Sequence, residues 1–376
     1  MNVLGIIFAY SDRENLRELT AFRTLASVPL AGKYRIIDFV LSNFVNHGIT
    51  DVSVIARSRY HSLLDHLGSG EEWDLNRKRG GLRLLTPFGR TERDGESHGM
   101  YRGTIEALAA NLHSFRRSME DYVVMSGSSI LYNMDLEGLV KAHIERGADI
   151  TAVYTRQLNG HHTVPLGVAV YRMGEDERLY DLSFNNDDMK PREAAWGTGV
   201  FVLRKSLLEG LVADAMAYGR YDFHKDILQR LAPSLRILGY EYKGYLLEIT
   251  SVAGYMQANM NFLKPDFREK AFAEPVYTKV KDSVPSQYVD GCQVKNSLIS
   301  DGCWIEGSVE NCVLSRGVRV EKGAVVRNCV VMQGVEIYQD VKLDHVILDK
   351  DVIVRERGQL FGHATYPVVV GKGNII

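Results

Sequence analysis

The sequence predicts an α/β domain with a mostly parallel sheet, followed by a parallel β-helix. The chain opens with a continuous apolar run from Val3 to Ala9, which is typical of a buried parallel strand. Strand-like and helix-like segments then alternate, as they do in βαβ units. From residue 289 onward apolar doublets recur about every sixteen residues, and this near-constant period indicates stacked β coils.

Length and composition indicate a soluble protein of two domains. The 376 residues are more than one hydrophobic core usually spans. A formal net charge of -2 argues against a nucleic-acid binder that acts through phosphate neutralisation. No apolar run is long enough to cross a membrane, and the first one lacks the basic start of a signal peptide. We therefore expect a cytoplasmic protein that binds neither nucleic acid nor membrane.

The elements of the first domain are predicted from apolar periodicity and capping residues. The predicted strands after the first one are 52–55, 122–126, 150–154, 168–171, 199–203 and 245–249. The predicted helices follow Asp38, begin with Thr104 as N-cap, cover 136–144, 206–216 and 223–232, and begin again after Ser251.

Residues 265–288 separate the two predicted domains. Three prolines interrupt this charged segment, which has no steady period, so we interpret it as a linker. Residues 1–264 are then the α/β domain, and residues 289–376 are the β-helix. A small antiparallel sandwich would also alternate apolar and polar residues, but the near-constant repeat length favours a β-helix of about four coils.

The four cysteines all lie in the predicted β-helix, beside valine and isoleucine. They are Cys292, Cys303, Cys312 and Cys329, and no two of them form a C-x-x-C pair. This spacing does not suit a zinc site or a disulfide framework. We expect them to be buried as small apolar residues in a protein of a reducing compartment.

The turn after the first strand is unusual for a nucleotide-binding α/β domain. Phosphates normally lie there against a glycine-rich loop, because only glycine lets the backbone N–H groups come close. No glycine occurs between Gly5 and Gly32, and the turn instead carries Tyr10, Asp12 and Glu14. It has the position of a phosphate-binding loop without the chemistry of one.

Three motifs, together with the β-helix, resemble the family of glucose-1-phosphate adenylyltransferase (ADP-glucose pyrophosphorylase), the bacterial enzyme of glycogen synthesis. They are Gly32 to Phe39, Tyr101 to Thr104, and Asp222-Phe223 with Lys225-Asp226. The resemblance covers nearly the whole chain. It implies a Rossmann-like nucleotidyltransferase domain, a left-handed β-helix, and assembly into a tetramer.

The chain departs from the phosphate loop of that family, which reads L-A-G-G-R-G-T-R-L. Laid on Phe8 to Leu16 without a gap, its three glycines become Tyr10, Ser11 and Arg13, and its second arginine becomes Asn15. Side chains therefore occupy the space that a triphosphate would approach.

The residues that would hold the metal and the sugar phosphate also differ. The family's metal-binding aspartate falls on Ser128, and a neutral hydroxyl is a poor ligand for Mg²⁺. A second aspartate falls on Glu248, which keeps the charge and is a weak candidate metal ligand. The lysine expected to neutralise glucose-1-phosphate falls on Asn185.

Nucleotidyl transfer depends on positioning and on charge neutralisation, so these losses predict little or no turnover. The pattern is similar to that of the non-catalytic (GlgD-type) partner subunit of the enzyme. The resemblance then implies a hetero-tetramer with a catalytic subunit whose activity and effector response this chain changes; the chain alone could form a homo-oligomer. No cofactor is expected to bind tightly.

Two other functions remain as alternatives. The first is an active adenylyltransferase with a rebuilt site, in which Glu248 and another acid hold Mg²⁺ for ATP. The second is a hexapeptide acyltransferase, which the predicted coil number and the unexplained first domain disfavour.

Several residues have both a functional and a structural interpretation. Tyr101, Arg102, Gly103 and Thr104, with Gly127, are either a vestigial nucleotide pocket or the entry to a helix. Lys33 and Arg35 either bind an anionic effector such as a phosphorylated sugar, or form a structural ion pair with Asp38.

The remaining charged clusters are interpreted as structural or solvated. A basic run with Arg77, Lys78, Arg79, Arg83, Arg90 and Arg93 is placed in a long loop that could also bind phosphorylated effectors. His61, His66, His161 and His162 lack metal-ligand spacing.

Overall fold

A computed structural model of the chain describes residues 2–11, 15–87, 101–156, 167–185 and 194–376. Its internal contacts form two compact units. The first unit comprises Met1–Arg13, Phe39–Leu247 and Glu274–Tyr277. The second unit comprises Glu14–Asp38, Glu248–Ala273 and Thr278–Ile376. The β-helix therefore shares a unit with two segments from earlier in the chain.

The first 273 residues supply helices and strands in alternation. The strands are β1 Val3–Phe8, β2 Pro29–Leu30, β3 Tyr34–Arg35, β4 Asp51–Ile55, β5 Gly81–Leu85, β6 Tyr122–Gly127, β7 Ile130–Tyr132, β8 Ile150–Thr155, β9 Ala169–Met173, β10 Leu179–Phe184, β11 Ala195–Arg204, β12 Ile237–Glu241 and β13 Leu246–Glu248. The helices are α1 Ile36–Asn46, α2 His61–Leu67, α3 Thr104–Arg116, α4 Leu136–Glu145, α5 Lys205–Ala217, α6 Val252–Asn261 and α7 Pro265–Ala271, and a π-helix covers Phe223–Gln229.

The first unit is built on a nine-stranded sheet. Its strand order is β10-β9-β11-β6-β1-β4-β5, and β8 pairs with both β11 and β12. β6, β1, β4 and β5 are parallel neighbours, which confirms the predicted sheet. β11 runs antiparallel to β6, β8 and β9, a pairing that the sequence analysis did not predict.

Burial explains why the apolar run at the start of the chain becomes the centre of this sheet. Leu4 and Ile6 of β1 are fully buried in one core cluster with residues of α3 and β6. Between them, Gly5 lies directly beneath the Phe44 ring of α1, and a Cβ at this position would lie 2.6 Å from that ring. Glycine therefore lets α1 pack closely against β1.

The second unit contains fifteen short strands in the residues after 286. They are β14 Gln287–Tyr288, β15 Gln293–Lys295, β16 Leu298–Ile299, β17 Trp304–Ile305, β18 Ser308–Glu310, β19 Val313–Leu314, β20 Arg319–Val320, β21 Val325–Arg327, β22 Val330–Val331, β23 Glu336–Ile337, β24 Lys342–Asp344, β25 Val346–Leu348, β26 Ile353–Val354, β27 Gln359–Phe361 and β28 Val368–Val370.

These strands form three parallel sheets of five strands each, so the chain makes a left-handed parallel β-helix, as predicted. Inward residues stack in register from coil to coil: Ile305, Val320, Ile337 and Val354 form one such column and are almost fully buried. The helix has five coils rather than the predicted four or so, because the last strand, β28, pairs with β25 over a longer interval than the sixteen-residue repeat.

Polar residues mark the corners of the coils. Asn296, Asn311 and Asn328 adopt left-handed backbone conformations, with φ of +42°, +53° and +50°. The Asn296 amide donates to Asn311 Oδ1 at 2.7 Å, and the Asn328 amide donates to Asp344 Oδ1 at 2.9 Å. Asparagine tolerates this conformation and also satisfies its neighbours, which explains its recurrence there.

The predicted burial of the cysteines is confirmed for three of them. Cys303, Cys312 and Cys329 lie in the β-helix core, whereas Cys292 in the first coil is half-buried, and all four are free thiols. Burial raises the pKa of the Cys329 thiol well above its usual value, so this sulfur stays protonated.

Two segments outside the repeats belong to the same unit as the β-helix. In the earlier segment, the Arg23 guanidinium forms a buried ion pair with Asp349 at 2.8 Å. In the later one, Ser251 caps α6 through its Oγ, as predicted, and Tyr255 donates to the Pro29 carbonyl at 2.6 Å. The residues predicted as a linker begin with a helix, α7. Pro265 lies in its first turn, where proline favours the start of a helix.

No helix among the described residues is long and apolar enough to cross a membrane.

Candidate functional site

A cavity of about 290 Å³ opens in the first unit, where β1 ends. Phe8, Tyr10 and Ser11 line it from the end of β1 and the residues that follow. The start of α3 supplies 102–104, and the turn into the π-helix supplies 221–224. Ligands of open α/β sheets commonly bind at the carboxyl ends of the strands, so this is the position expected of a ligand site.

Irregular backbone creates the space. The register of β11 against β8 shifts between Gly197 and Phe201, and Gly199 within this bulge has a φ of +75°. The segment 223–232, predicted as an ordinary helix, is a π-helix over its first seven residues. Bulges and π-helical turns widen the local backbone and are frequent at binding sites.

Tyr10, which the resemblance aligns with a glycine of the phosphate loop, packs its ring within the first unit. The ring lies edge-on to Phe8, with centroids 6.0 Å apart, and the Arg57 guanidinium lies 5.7 Å from its centroid. Ser11 lines the same cavity.

The next two loop positions lie elsewhere. Arg13 lies outside the described residues. Asn15 is exposed in the second unit, where its N–H donates to the Thr250 carbonyl at 2.8 Å.

Arg102 lines the cavity but is already neutralised. Its Nη2 and Nε bond to the Glu106 carboxylate at 2.9 to 3.3 Å, and its backbone N–H donates to Glu106 Oε2 at 2.7 Å. The guanidinium carbon also lies 3.9 Å from the centroid of the Tyr221 ring. The hydrogen bond to Glu106 raises the pKa of Arg102, so its charge is permanent and internally paired.

Gly103, where the chain enters α3, has no room for a side chain. A Cβ there would overlap the carbonyl oxygen of Tyr221, which accepts the Ile105 N–H at 3.0 Å. The prediction of Thr104 as N-cap is wrong: Gly103 is the N-cap, in extended backbone, and Thr104 is the first helical residue.

Tyr101 is buried beside this corner. Its hydroxyl accepts from the Asn111 amide at 3.3 Å. Burial raises the pKa of the Tyr101 hydroxyl, so it stays neutral at physiological pH.

Ser128, which the resemblance aligns with a metal-binding aspartate, follows β6 and is fully buried. Its N–H donates to the Phe8 carbonyl at 2.9 Å, and its Oγ has no hydrogen-bond partner among the described residues. Its neighbours Gly127 and Ser129 line the cavity. A lone neutral hydroxyl does not provide the anionic oxygen ligands of Mg²⁺, so these residues do not fit the metal.

The other candidate metal ligand is Glu248, the last residue of β13, which is half-buried and belongs to the second unit. Among the described residues, no three His, Cys, Asp or Glu side chains are grouped so that they could hold a metal ion.

Asn185, which the resemblance aligns with the sugar-phosphate lysine, is buried directly after β10. Both of its backbone groups are hydrogen-bonded. The Asn185 N–H donates to the Val168 carbonyl at 2.9 Å, and the Asn185 carbonyl accepts from the Gly167 N–H at 3.0 Å. Gly167 lines the cavity, whereas Asn185 does not.

Lys33 and Arg35 lie in the second unit. The Lys33 ammonium lies 5.1 Å from the centroid of the Tyr34 ring, and the Arg35 N–H donates to Asp38 Oδ2 at 2.9 Å. Asp38 is fully buried in the first turn of α1, and this hydrogen bond joins it to the backbone of the residue that precedes the helix.

Sequence analysis did not connect Lys350 with Lys33 and Arg35, because Lys350 lies more than 300 residues further along the chain. Burial, together with the nearby charges of Arg35 and Arg23, lowers the pKa of Lys350 to about 8. A concentration of positive charge therefore exists in the second unit.

The basic run is not a single loop. Arg83 lies in β5 and pairs with Asp51, and Arg77 pairs with Asp74. Strand β5 was missed because its alternation is weak among so many charges. Arg90 and Arg93 lie outside the described residues.

The described histidines of the sequence analysis occupy structural or surface positions. His66 is buried with its ring centroid 5.7 Å from that of Trp73, and His61 contacts Tyr60. His161 and His162 lie outside the described residues.

An α/β sheet with a cavity where its first strand ends, followed along the chain by a hexapeptide-type β-helix, defines a protein of the nucleotidyl transferase class. The family model described as nucleotidyl transferase matches residues 5–264, and the model described as "GlmU-like, C-terminal hexapeptide" matches residues 282–363.

Relatives make the assignment more specific. The glycogen biosynthesis protein GlgD of Bacillus subtilis (strain 168) is 35% identical over 99% of this chain and 96% of its own length. GlgD of Geobacillus stearothermophilus is 37% identical over 86% of this chain and 82% of its own length. Glucose-1-phosphate adenylyltransferase of Thermosipho africanus (strain TCF52B) is 32% identical over 87% and 78%. The chain belongs to the family of GlgD proteins and glucose-1-phosphate adenylyltransferases.

Proposed function

We propose that this chain takes part in glycogen biosynthesis as a non-catalytic or weakly catalytic regulatory subunit of glucose-1-phosphate adenylyltransferase. In this role it supports the formation of ADP-glucose from ATP and glucose-1-phosphate, within a cytoplasmic hetero-tetramer that contains a catalytic subunit. The names of its relatives support the pathway. The side chains that line its own cavity support the proposed loss of catalytic activity.

The observation that carries this proposal is the buried hydroxyl of Ser128, at a position where the resemblance implies a metal-binding carboxylate. Phosphoryl chemistry relies on a metal and on cations that neutralise the developing charge. Tyr10 and Ser11 add side chains where a triphosphate would need bare backbone. Loss of a single well-placed charge-stabilising group costs about 10²- to 10³-fold in rate, and this site lacks several.

Mixing experiments test the regulatory role. The chain is co-expressed with a catalytic, glycine-loop-bearing subunit of the same family, and the complex is isolated by size exclusion. We expect a mixed oligomer whose KM values or effector response differ from those of the catalytic subunit alone. Failure to co-purify, together with unchanged kinetics in the mixture, would reject the proposed role.

Restoration of the site tests whether the loss is local. A variant with Tyr10→Gly, Ser11→Gly, Arg13→Gly and Ser128→Asp should gain pyrophosphate release over the natural chain if the remaining pocket keeps its shape. The matched control carries the three glycine changes with Ser128 unchanged. We expect the control to stay inactive, because bare backbone cannot replace a metal carboxylate.

We further propose that an anionic effector, such as a phosphorylated sugar, binds at the positive charge around Arg35 and Lys350 in the second unit. A bound anion would favour the charged form of Lys350, whose pKa is lowered by burial and by Arg35. Lys33 lies two residues from Arg35 and could supply a further cation.

The measurement is the shift in melting temperature with fructose bisphosphate or inorganic phosphate at pH 7. Lys350→Met should abolish the shift, whereas Lys342→Met, an exposed lysine of β24, should preserve it. An equal shift in both variants would locate the anion elsewhere.

A further inference from the structure

We infer that residues Glu274–Tyr277, here called the strap, form a pH-dependent latch that the positive charge of His47 holds on the end of α1. The strap belongs to the first unit, whereas the segments directly before and after it, Glu248–Ala273 and Thr278–Ile376, belong to the second. It is the one stretch after residue 247 that the first unit contains. This inference concerns a place away from the cavity and is independent of the proposed function.

The strap is attached to α1 through polar contacts. The Asn46 amide donates to the Pro275 carbonyl at 2.9 Å, and the Tyr277 N–H donates to Ser42 Oγ at 2.8 Å. None of the four strap residues is buried. A segment that buries so little apolar surface opens locally at a low free-energy cost, so one charged contact has a measurable effect on how often it detaches.

The charged contact joins one imidazole to two carboxylates. His47 directly follows α1, and its Nε2 lies 3.7 Å from Glu274 Oε1 and 3.8 Å from Asp135 Oδ1. The imidazole is 12% exposed, and among the described residues it is the one cation that pairs with either carboxylate. Glu274 Oε2 is buried and has no hydrogen-bond partner in the described part of the chain, so His47 is the group that balances the charge of Glu274.

The geometry around His47 favours the protonated ring. Its Nδ1 lies 2.9 Å from the Asn43 carbonyl oxygen, which only accepts, whereas the Asn43 amide nitrogen is farther away, at 3.5 Å. Nδ1 therefore carries a hydrogen. A neutral ring would then present the lone pair of Nε2 to two carboxylates, whereas an imidazolium directs an N–H toward them. The ring also lies at the end of α1, where the helix dipole favours a cation.

Raising the pH should therefore weaken the latch, because histidine side chains ordinarily lose their charge between pH 5 and 8. The other titratable groups at this place are Asp135, which caps α4, Glu274 of the strap, and Tyr240 of β12, which interacts with Asp135. Burial and then the charge of Asp135 raise the pKa of the Tyr240 hydroxyl, so it stays neutral. Without the proton on His47, no cation separates the carboxylate of the strap from that of Asp135.

Hydrogen exchange of the full chain at pH 6 and pH 8, measured by mass spectrometry and corrected for the intrinsic effect of pH, tests the latch. Peptides that contain the Tyr277 amide report on the strap, and peptides from β4 report on global opening. We expect protection of the strap to fall about three- to fivefold from pH 6 to pH 8, as for the loss of a partly exposed ion pair, while β4 stays unchanged. No change in the strap, or an equal loss in both places, would overturn the inference.

Variants of His47 assign the pH response to this ring. His47→Gln carries no charge, so protection of the strap should be low and equal at both pH values. His47→Arg carries a permanent charge, so protection should be high at both. His113→Gln is the matched control, because His113 is an exposed histidine in the last turn of α3, and it should keep the natural pH response.

A variant of Glu274 tests the other side of the contact. Glu274→Gln removes the charge from the strap and keeps a side chain of nearly the same size, so the difference in protection between pH 6 and pH 8 should shrink. Glu269→Gln makes the same change on the exposed surface of α7 and should leave this difference as it is in the natural chain.

The β4 peptides also show whether each variant keeps the native fold, because their protection should match that of the natural chain. If His47→Gln destabilises the whole unit, the comparison of His47→Arg with the natural chain at pH 8 decides the question by itself. A pH response in either His47 variant that equals the response of the natural chain would overturn the inference.

Discussion

The buried ion pair between Arg23 and Asp349 should be among the most sensitive points in the second unit. The two side chains are 4% and 0% exposed, and one guanidinium nitrogen lies 2.8 Å from both carboxylate oxygens. Asp349→Ala would leave a guanidinium that cannot lose its proton, with the weak acceptor Met332 Sδ at 3.6 Å. Breaking one side of such a pair costs about 3–5 kcal/mol of the free energy of unfolding.

Arg23→Ala should cost less than Asp349→Ala, because the remaining carboxylate keeps the Lys350 N–H at 2.7 Å and can also take up a proton. The double variant Arg23→Met with Asp349→Leu should restore stability to within about 1.5 kcal/mol of the natural chain, since well-packed apolar residues replace buried pairs at little cost.

Urea unfolding followed by far-UV circular dichroism measures these differences on the transition that contains the β-helix. Lys295→Ala is the control, because Lys295 pairs with Glu310 at 3.0 Å on the surface of the same β-helix with 78% of its side chain exposed. It should change stability by less than about 0.5 kcal/mol. A loss below about 1 kcal/mol in Asp349→Ala would refute the reasoning.

Two further predictions concern the first unit. Burial lowers the pKa of His143 to about 4, whereas in the unfolded chain this group takes up its proton near 6.5. The free energy of unfolding should therefore decrease as the pH falls from 6.5 to 4, by about 1.4 kcal/mol for each unit of pKa difference, and His143→Gln should flatten this decrease in urea midpoints. Gly103→Ala should cost about 1–3 kcal/mol in thermal unfolding by overlapping Tyr221, whereas Gly210→Ala in α5 has open space and should stabilise.

Much of the fold was predicted from local apolar periodicity. The strand from Val3 was predicted because a buried parallel strand needs a continuous apolar run, and the β-helix was predicted because stacked coils need a regular apolar repeat. The antiparallel course of β11 was not, since strand direction depends on pairing across the sheet rather than on the residues of the strand.

The candidate site was only partly predictable, for a related reason. Tyr10, Ser11, Arg102 and Gly103 were named from motif positions, and the structure places all four on one cavity. His224 and Phe184 also line it, but nothing in their local sequence indicates that a π-helix and the end of β10 meet there.

The ion pair of Arg23 with Asp349 shows the limit most clearly. The two residues are 326 positions apart, and each alone resembles an ordinary surface charge. Pairing of this kind depends on the tertiary fold, and single-sequence patterns carry no signal for it.

Pyrophosphate release by the purified chain alone, with ATP, glucose-1-phosphate and Mg²⁺, tests the proposed loss of catalysis most directly. A catalytic family member is assayed in parallel at the same concentration. We predict a rate at least about 10²-fold below that of the catalytic protein, as expected when charge-stabilising groups are missing. Release at a comparable rate would show that Ser128, Tyr10 and Ser11 do not disable the site.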